Sequence, residues 1–338
     1  MVTVRDMGED ALVAAAVQRM TAVAAGPRLH VAVGDDAAVL GCDGAVVLST
    51  DTLVGGVDFR VDWSSAADVG AKTAAACLAD IAAMGAEPSA LLVSLTVPGG
   101  IEVEWVLQLA DGIAAECARA GAVVAGGDMA AGDQVVVTGT AVGRLCDAGT
   151  AVLRSGARAG DVVAVSGILG DSAAGLALLL AGEAALADPS LPAAAAAAVL
   201  VRHRRPAPDY RAGVVARQAG ATSLIDVSDG LVRDARRVAM ASGVRVDLDP
   251  VALVPSPEVE LVAKHLGAVA LEWVLTGGED HAMLATFPAA GPLPTGYRRI
   301  GSVVASGDGV RRADVTLAGR RYRGDGGWMH FAGSTASG

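Results

Sequence analysis

Apolar runs of strand length recur along this chain, and beside them stand carboxylates in short stretches, several of them bearing glycine. Asp35 and Asp36 stand in GDD, Asp51 in STDT, Asp128 in GGDM, Asp226 and Asp229 in IDVSDG, and Glu279 and Asp280 in GGED. Glycine ahead of an acid lets the backbone approach closely or take a positive φ. Alone, each such turn is more often a loop-forming device than a ligand. Together they ask for more, because carboxylates gathered in space repel one another unless cations neutralise them. A further acid, Asp80, falls inside the helical pattern of residues 66–84, where an acid among alanines is costly to bury without compensation.

Helix and strand patterns alternate between these acids. Residues 8–25 have helical spacing, and strand-like runs follow at 37–40 and 45–50. The helix pattern at 66–84 ends at Gly85, a strand at 90–97 is stopped by Pro98, and a helix at 102–120 is stopped by Gly121. Strand-like runs at 123–125 and 134–144 complete an expected α+β domain over residues 1–148. A turn at 154–161 then feeds an apolar strand at 162–165, and a glycine-rich turn runs into a helix over 167–182. A strand leads into IDVSDG and a helix over 231–242, with further apolar segments at 244–248, 258–266 and 276–287. These predict an α/β domain over 149–331 and a tail over 332–338. With 53% hydrophobic residues and only 3% aromatic, Ala, Val, Leu and Gly must build both interiors.

Charge and cysteine usage exclude several classes. A net charge of −11 argues against general nucleic-acid binding, which needs a basic surface to displace counterions. Cys42, Cys77, Cys117 and Cys146 are scattered with no C-x-x-C spacing, so neither a zinc site nor a disulfide framework is indicated, and a reducing cytoplasm is the expectation. The start MVTVRDMGEDALV lacks the basic and apolar regions of a signal peptide. The most apolar later segment, 172–201, is interrupted by Glu183, Asp188 and Pro192, so no membrane span is expected.

Hard oxygen ligands of this kind suit Mg²⁺, which binds one or two carboxylates per ion together with substrate phosphates. There is no G-x-x-x-x-G-K-[ST], and neither the Gly-rich loop nor the H-R-D set of protein kinases is present. A metal-dominated phosphate site is what remains.

The order of motifs carries a resemblance. GDDAAV (34–39), STDTLVGGVDF (49–59), the 72–86 helix with DIAAMGA, GGD (126–128), RSGA (154–157), GDSAAGL (170–176), IDVSDGL (225–231) and GGED (277–280) together resemble thiamine-monophosphate kinase, from about residue 8 to 331. The resemblance implies a PurM-like two-domain architecture, with an α+β N-terminal domain that pairs across a homodimer and an α/β C-terminal domain. It implies transfer of the ATP γ-phosphoryl to thiamine monophosphate, with Mg²⁺. By motif position, Asp36, Ser49, Thr50, Asp51, Asp80, Asp128, Asp226 and Asp229 would be metal ligands or their neighbours. Gly127, Asp128, Arg154 and Ser228 would meet ATP, while Asp51, Asp128 and Arg154 would carry the chemistry. Asp58, Glu279 and Trp328 would face the acceptor, the indole stacking on thiamine. The chain departs from the family at four places: Asp58 replaces the usual His, Cys77-Leu78-Ala79-Asp80 replaces N-L-S-D, Met129 follows GGD in place of Thr, and His281-Ala282 replaces Tyr-Glu. Two other readings stand beside it: a related ATP-dependent enzyme acting on a different small substrate, and a non-catalytic nucleotide-binding dimer.

Overall fold

The structure, a computed structural model, describes residues 2–7, 9–21, 29–31, 39–146, 149–305 and 314–328. Asp35, Asp36 and the expected tail lie outside the described residues. The helices are α1 (Val4–Met7), α2 (Glu9–Thr21), α3 (Ala66–Ala83), α4 (Val103–Ala120), α5 (Asp171–Ala181), α6 (Glu183–Leu186), α7 (Ala193–Arg204), α8 (Tyr210–Gln218), α9 (Leu231–Ser242), α10 (Pro257–Leu266) and α11 (Ala270–Thr276). The strands are β1 (Leu29–Val31), β2 (Val39–Leu40), β3 (Val46–Val54), β4 (Glu87–Val97), β5 (Val123–Ala131), β6 (Val136–Arg144), β7 (Val162–Ser166), β8 (Ser223–Val227), β9 (Arg245–Leu248), β10 (Ala282–Phe287), β11 (Tyr297–Val304), β12 (Asp314–Leu317) and β13 (Arg320–Arg321).

The chain divides into two compact units, Met1–Val152 with Arg204–Ala219, and Leu153–His203 with Gly220–Gly338. The return of Arg204–Ala219 to the first unit differs from the single break expected near residue 148. A buried polar anchor is one of its ties: Tyr210 of α8 donates to Glu116 of α4 at 2.5 Å, and the Arg119 guanidinium lies 4.6 Å over the Tyr210 ring.

In the first unit a four-stranded sheet runs β3-β6-β4-β5, with only the β4–β5 pair parallel. Side chains alternate across it. Val137 and Ala141 of β6 are buried on the side that α3 covers. Thr138 and Thr140 look the other way, with Val46 and Leu48 of β3 and Leu92 of β4 exposed on that same open face. Helix α3 begins in a capping box between Ser65 and Asp68, and it is buried nearly all round because α4 covers its second side. Gly70 and Gly112 set that crossing. A Cβ on Gly70 would stand 2.1 Å from the Leu109 carbonyl oxygen, and one on Gly112 would stand 2.1 Å from that of Ala67. Small side chains thus let the helices touch backbone to backbone, maximising close contacts in an interior poor in aromatics.

The register also corrects two local expectations. STDT and GGDM are not turns: Asp51 lies inside β3 opposite Gly139, and Asp128 lies inside β5 opposite Ser94. Acids are disfavoured in strands, but both are exposed here, so their charges stay solvated.

In the second unit a seven-stranded sheet runs β13-β12-β9-β11-β7-β10-β8, antiparallel except for β9 with β12. Val163, Val165, Ile225, Val227, Leu231, Val238, Leu248 and Ile300 build its core, each apolar side chain contributing roughly 1.5–3 kcal/mol by burial. Strands β7 and β8 both pair antiparallel with β10, so they run in the same direction. Ser166 is opposite Met283, and Val227 is opposite Ala282, which brings the ends of β7 and β8 and the start of β10 together. Among the described residues no helix is long and apolar enough to cross a membrane.

Candidate active site

Three turns meet at that end of the second sheet: 167–170 leading into α5, 228–230 leading into α9, and 277–281 leading into β10. In open α/β sheets, ligands bind beyond the carboxyl ends of strands, where helix N-termini also point. Here two carboxylates, buried Asp234 and half-buried Asp280, cap those N-termini. Asp234 accepts the backbone amides of Ser228, Asp229 and Gly230 at 3.1, 3.0 and 3.1 Å and pairs with Arg237 at 2.5 Å. Burial pushes its carboxyl up to about 6, against the pull of the Arg237 charge. Asp280 accepts the amides of Gly170 and Ser172 at 2.6 and 3.0 Å, and burial pushes its carboxyl up to about 7.

The 277–281 turn ties the cluster together. Glu279 donates its amide to the Ser228 carbonyl at 2.8 Å, and His281 donates its amide to that of Val227 at 2.9 Å. Both residues hold positive φ, 63° at Glu279 and 50° at His281, a strained backbone that persists only because its surroundings fix it. The His281 ring nitrogen Nδ1 lies 2.9 Å from Asp226 Oδ2, both side chains buried. Asp229 is faced by Arg233 at 3.3 Å and by Arg237. The Trp328 amide donates to the Asp229 carbonyl at 2.9 Å, and the residue is 53% exposed. Asp226, Ser228, Asp229, Glu279 and Trp328, singled out in three separate places of the sequence, are therefore brought together.

Arg154 is not. It sits exposed in a short 3-10 turn beside the far end of α9, where the Ser242 hydroxyl donates to its carbonyl at 2.8 Å. The adjoining Gly156 packs on Thr222, ahead of β8, roughly 20 Å along that strand from Ser228.

In the first unit, Ser49 and Asp51 alternate onto the α3 side of the sheet. The Ser49 hydroxyl donates to Asp80 of α3 at 2.5 Å. Asp51 and Asp80 both lie close to the Cys77 thiol, which burial first, and then these two charges, push far above its ordinary value. Thr50 projects to the opposite face, where its hydroxyl donates to the Gly139 carbonyl at 2.9 Å and meets Thr140 at 3.2 Å. Asp128 shares its register with Ser94 and Thr138 and so lies on Thr50's face, with Gly127 opposite Val93. The Asp58 carboxylate accepts the Val54 amide at 2.8 Å, fastening its own turn. Lys72 is buried with its ammonium 3.3 Å from the Asp58 carbonyl.

Among the described residues, no three His, Cys, Asp or Glu side chains form a ready-made metal cage. The hydroxyl and carboxylate oxygens of Ser49, Asp51 and Asp80 nonetheless fit Mg²⁺, which keeps waters and takes one or two carboxylates alongside phosphate oxygens. Asp234 and the capping role of Asp280 were not foreseen. The only signal for Asp234 is an acid within the first turn of a helix pattern, and nothing in the sequence marks His203, which lies against Glu279.

Residues 34–145 match the model of the AIR synthase related protein, N-terminal domain. A thiamine-monophosphate kinase of Mycobacterium tuberculosis is 44% identical over 300 residues, covering 88% of this chain and 85% of that protein. One from Corynebacterium glutamicum is 37% identical over 334 residues, covering 97% and 95%. The solved structure of AaThiL complexed with AMPPCP and TMP superposes with a TM-score of 0.75 at 30% identity, covering 97% of this chain and 98% of that one. On these similarities the chain belongs to the thiamine-monophosphate kinase family.

Proposed function

We propose that this protein transfers the γ-phosphoryl group of ATP directly to the phosphate of thiamine monophosphate, giving thiamine diphosphate and ADP. The observation that carries the reading is the gathering of Asp226, Ser228, Asp229, Glu279 and Trp328 at one end of the second sheet. Support for the two substrates comes from the AaThiL structure complexed with AMPPCP and TMP, a non-hydrolysable ATP analogue and the acceptor.

The acceptor is a phosphate monoester whose oxygen is already nucleophilic at neutral pH, so no strong general base is required. That oxygen forms the new P–O bond as the bond between the γ-phosphorus and the β,γ-bridging oxygen breaks, and ADP leaves with the electron pair. Catalysis is then positioning and charge neutralisation. Ser49, Asp51 and Asp80 would hold Mg²⁺ in the first unit; Asp128, on the opposite face of that sheet, and Asp226 and Asp229, within the second unit, are candidate ligands of further Mg²⁺ ions by motif position. When bound, the metal supplies positive charge against the triphosphate. Ser228 would meet the nucleotide, and the exposed Trp328 indole offers a flat π-face to the cationic thiazolium ring. Glu279 would contact the acceptor from its strained turn. What supports Arg154 as a nucleotide contact is its place in the motif order. The exposed apolar face of the first sheet supports a homodimer, and four free cysteines support a reducing cytoplasm.

The test is ADP release by purified protein with Mg²⁺ and ATP, comparing thiamine monophosphate, thiamine and no acceptor. Turnover that depends on the monophosphate and yields thiamine diphosphate is expected. ATP binding without turnover on any acceptor would overturn the reading.

A further inference from the structure

His203 and Ser172 enter none of the roles assigned above, yet both are buried against Glu279, a carboxylate proposed to face the acceptor. His203 stands in the last turn of the alanine-rich helix α7 and is 7% exposed; Ser172 stands in the first turn of α5 and is 2% exposed. Gly175 allows the two helices to meet, since a Cβ there would lie 2.4 Å from the Val199 carbonyl oxygen and 2.7 Å from His203 Cβ. Placing an imidazole and a hydroxyl in such a seam costs free energy unless each is hydrogen-bonded. Their partners form a triangle. His203 Nδ1 is 3.2 Å from Ser172 Oγ and 3.5 Å from Glu279 Oε2, and the Ser172 hydroxyl donates to the same carboxylate oxygen at 3.5 Å.

This is not a nucleophile triad. Serine and carboxylate both face the same ring nitrogen, so the imidazole cannot pass a proton between them, which would need its two nitrogens on opposite partners. What the triangle does is hold a carboxylate. The Glu279 backbone is already fixed by the hydrogen bond its N–H donates to the Ser228 carbonyl, and its side chain, 35% exposed, reaches the surface from a buried polar base.

We infer that His203 and Ser172 are positioning residues that fix the rotamer of Glu279 toward the thiamine monophosphate acceptor. The inference rests on the reading that Glu279 contacts that acceptor. Charge-assisted hydrogen bonds cost no reorganisation when the base is set before the ligand arrives, so loosening it weakens acceptor binding and spares ATP.

Steady-state kinetics with ATP and thiamine monophosphate, together with thermal melts, test this on Glu279→Gln, His203→Phe, His203→Asn and Ser172→Ala. Asn keeps an N–H donor close to the place of Nδ1. His203→Phe and Ser172→Ala are expected to raise the acceptor KM about tenfold while the KM for ATP stays within about twofold, and His203→Asn should restore most of the loss. Glu279→Gln should raise the acceptor KM as well. If Glu279→Gln raises it while His203→Phe and Ser172→Ala do not, the positioning role is overturned. If Glu279→Gln leaves it unchanged, the reading of Glu279 itself fails. A parallel rise in both KM values would show a general packing effect and overturn the inference. Ser172→Ala removes a single oxygen and keeps the question answerable if His203→Phe does not fold.

Discussion

Asp280 accepts the backbone amide of Gly170 at 2.6 Å, closing the start of α5 with a carboxylate 110 residues further along the chain. Burial outweighs the two amide bonds and raises its carboxyl from 3.8 to about 7. The native state therefore holds a proton that the unfolded chain releases near pH 4. Stability contributed by this residue falls as pH rises from about 4 to about 7, and the full penalty is present above that. Asp280→Asn removes the titration while keeping one acceptor. The stability advantage of the wild type over the variant, measured by chemical denaturation, should shrink by about 2 kcal/mol between pH 5 and pH 8. An advantage that stays constant or widens would contradict the assignment.

Much of this site was legible and some of it was not, for identifiable reasons. IDVSDG and GGED could be read as turns because glycine adjoins the acids and apolar runs flank them. STDT and GGDM carry similar residues, but the strands run through them, since hydrogen-bond register across β6 and β4 decides and register is not local information. An acid beside a glycine reads alike whether it holds a ligand, as proposed for Glu279, or caps a helix, as Asp280 does. His203 approaches Glu279 only through the packing of α7 on α5, and nothing near either residue in sequence announces it.

Asp51→Asn tests the acids of the first unit. Asp51 is exposed within β3, so replacing its charge should leave the fold within about 0.5 kcal/mol. If it faces Mg²⁺ and the triphosphate, turnover should fall by about a hundredfold or more. Circular dichroism and a melt confirm the fold, and a coupled ADP assay reads the activity. Near-normal turnover would remove Asp51 from the metal-binding set.

The open face of the first sheet makes a prediction about assembly. Val46, Leu48 and Leu92 are 48%, 67% and 40% exposed beside the threonines of β6. An apolar surface of this kind on a sheet is a candidate for association. Light scattering at micromolar concentration should give twice the chain mass for the wild type. Leu48→Glu should yield a folded species of single mass, because the dimer would bury its charge unpaired. A wild type of single mass, or a Leu48→Glu dimer, would refute this face as the interface.

The anchor of α8 makes the last prediction, one of graded stability. Glu116 is buried and receives the Tyr210 hydroxyl at 2.5 Å and the Arg119 Nε at 3.0 Å. Arg119 also donates to the Pro208 carbonyl at 2.8 Å, so a single guanidinium ties α4 to the returning segment twice. Burial and the Glu116 charge both keep the Tyr210 hydroxyl protonated far above its ordinary range, so it remains a donor at every practical pH. Tyr210→Phe deletes one hydrogen bond to a charged group and leaves Glu116 paired with Arg119, a loss of roughly 1.5–3 kcal/mol. Arg119→Ala leaves the buried carboxylate with only a neutral partner, so it should cost more than Tyr210→Phe. Denaturant unfolding of the two variants measures the order. Equal losses, or a neutral Tyr210→Phe, would mean that the Tyr210–Glu116–Arg119 anchor is not what holds Arg204–Ala219 on the first unit.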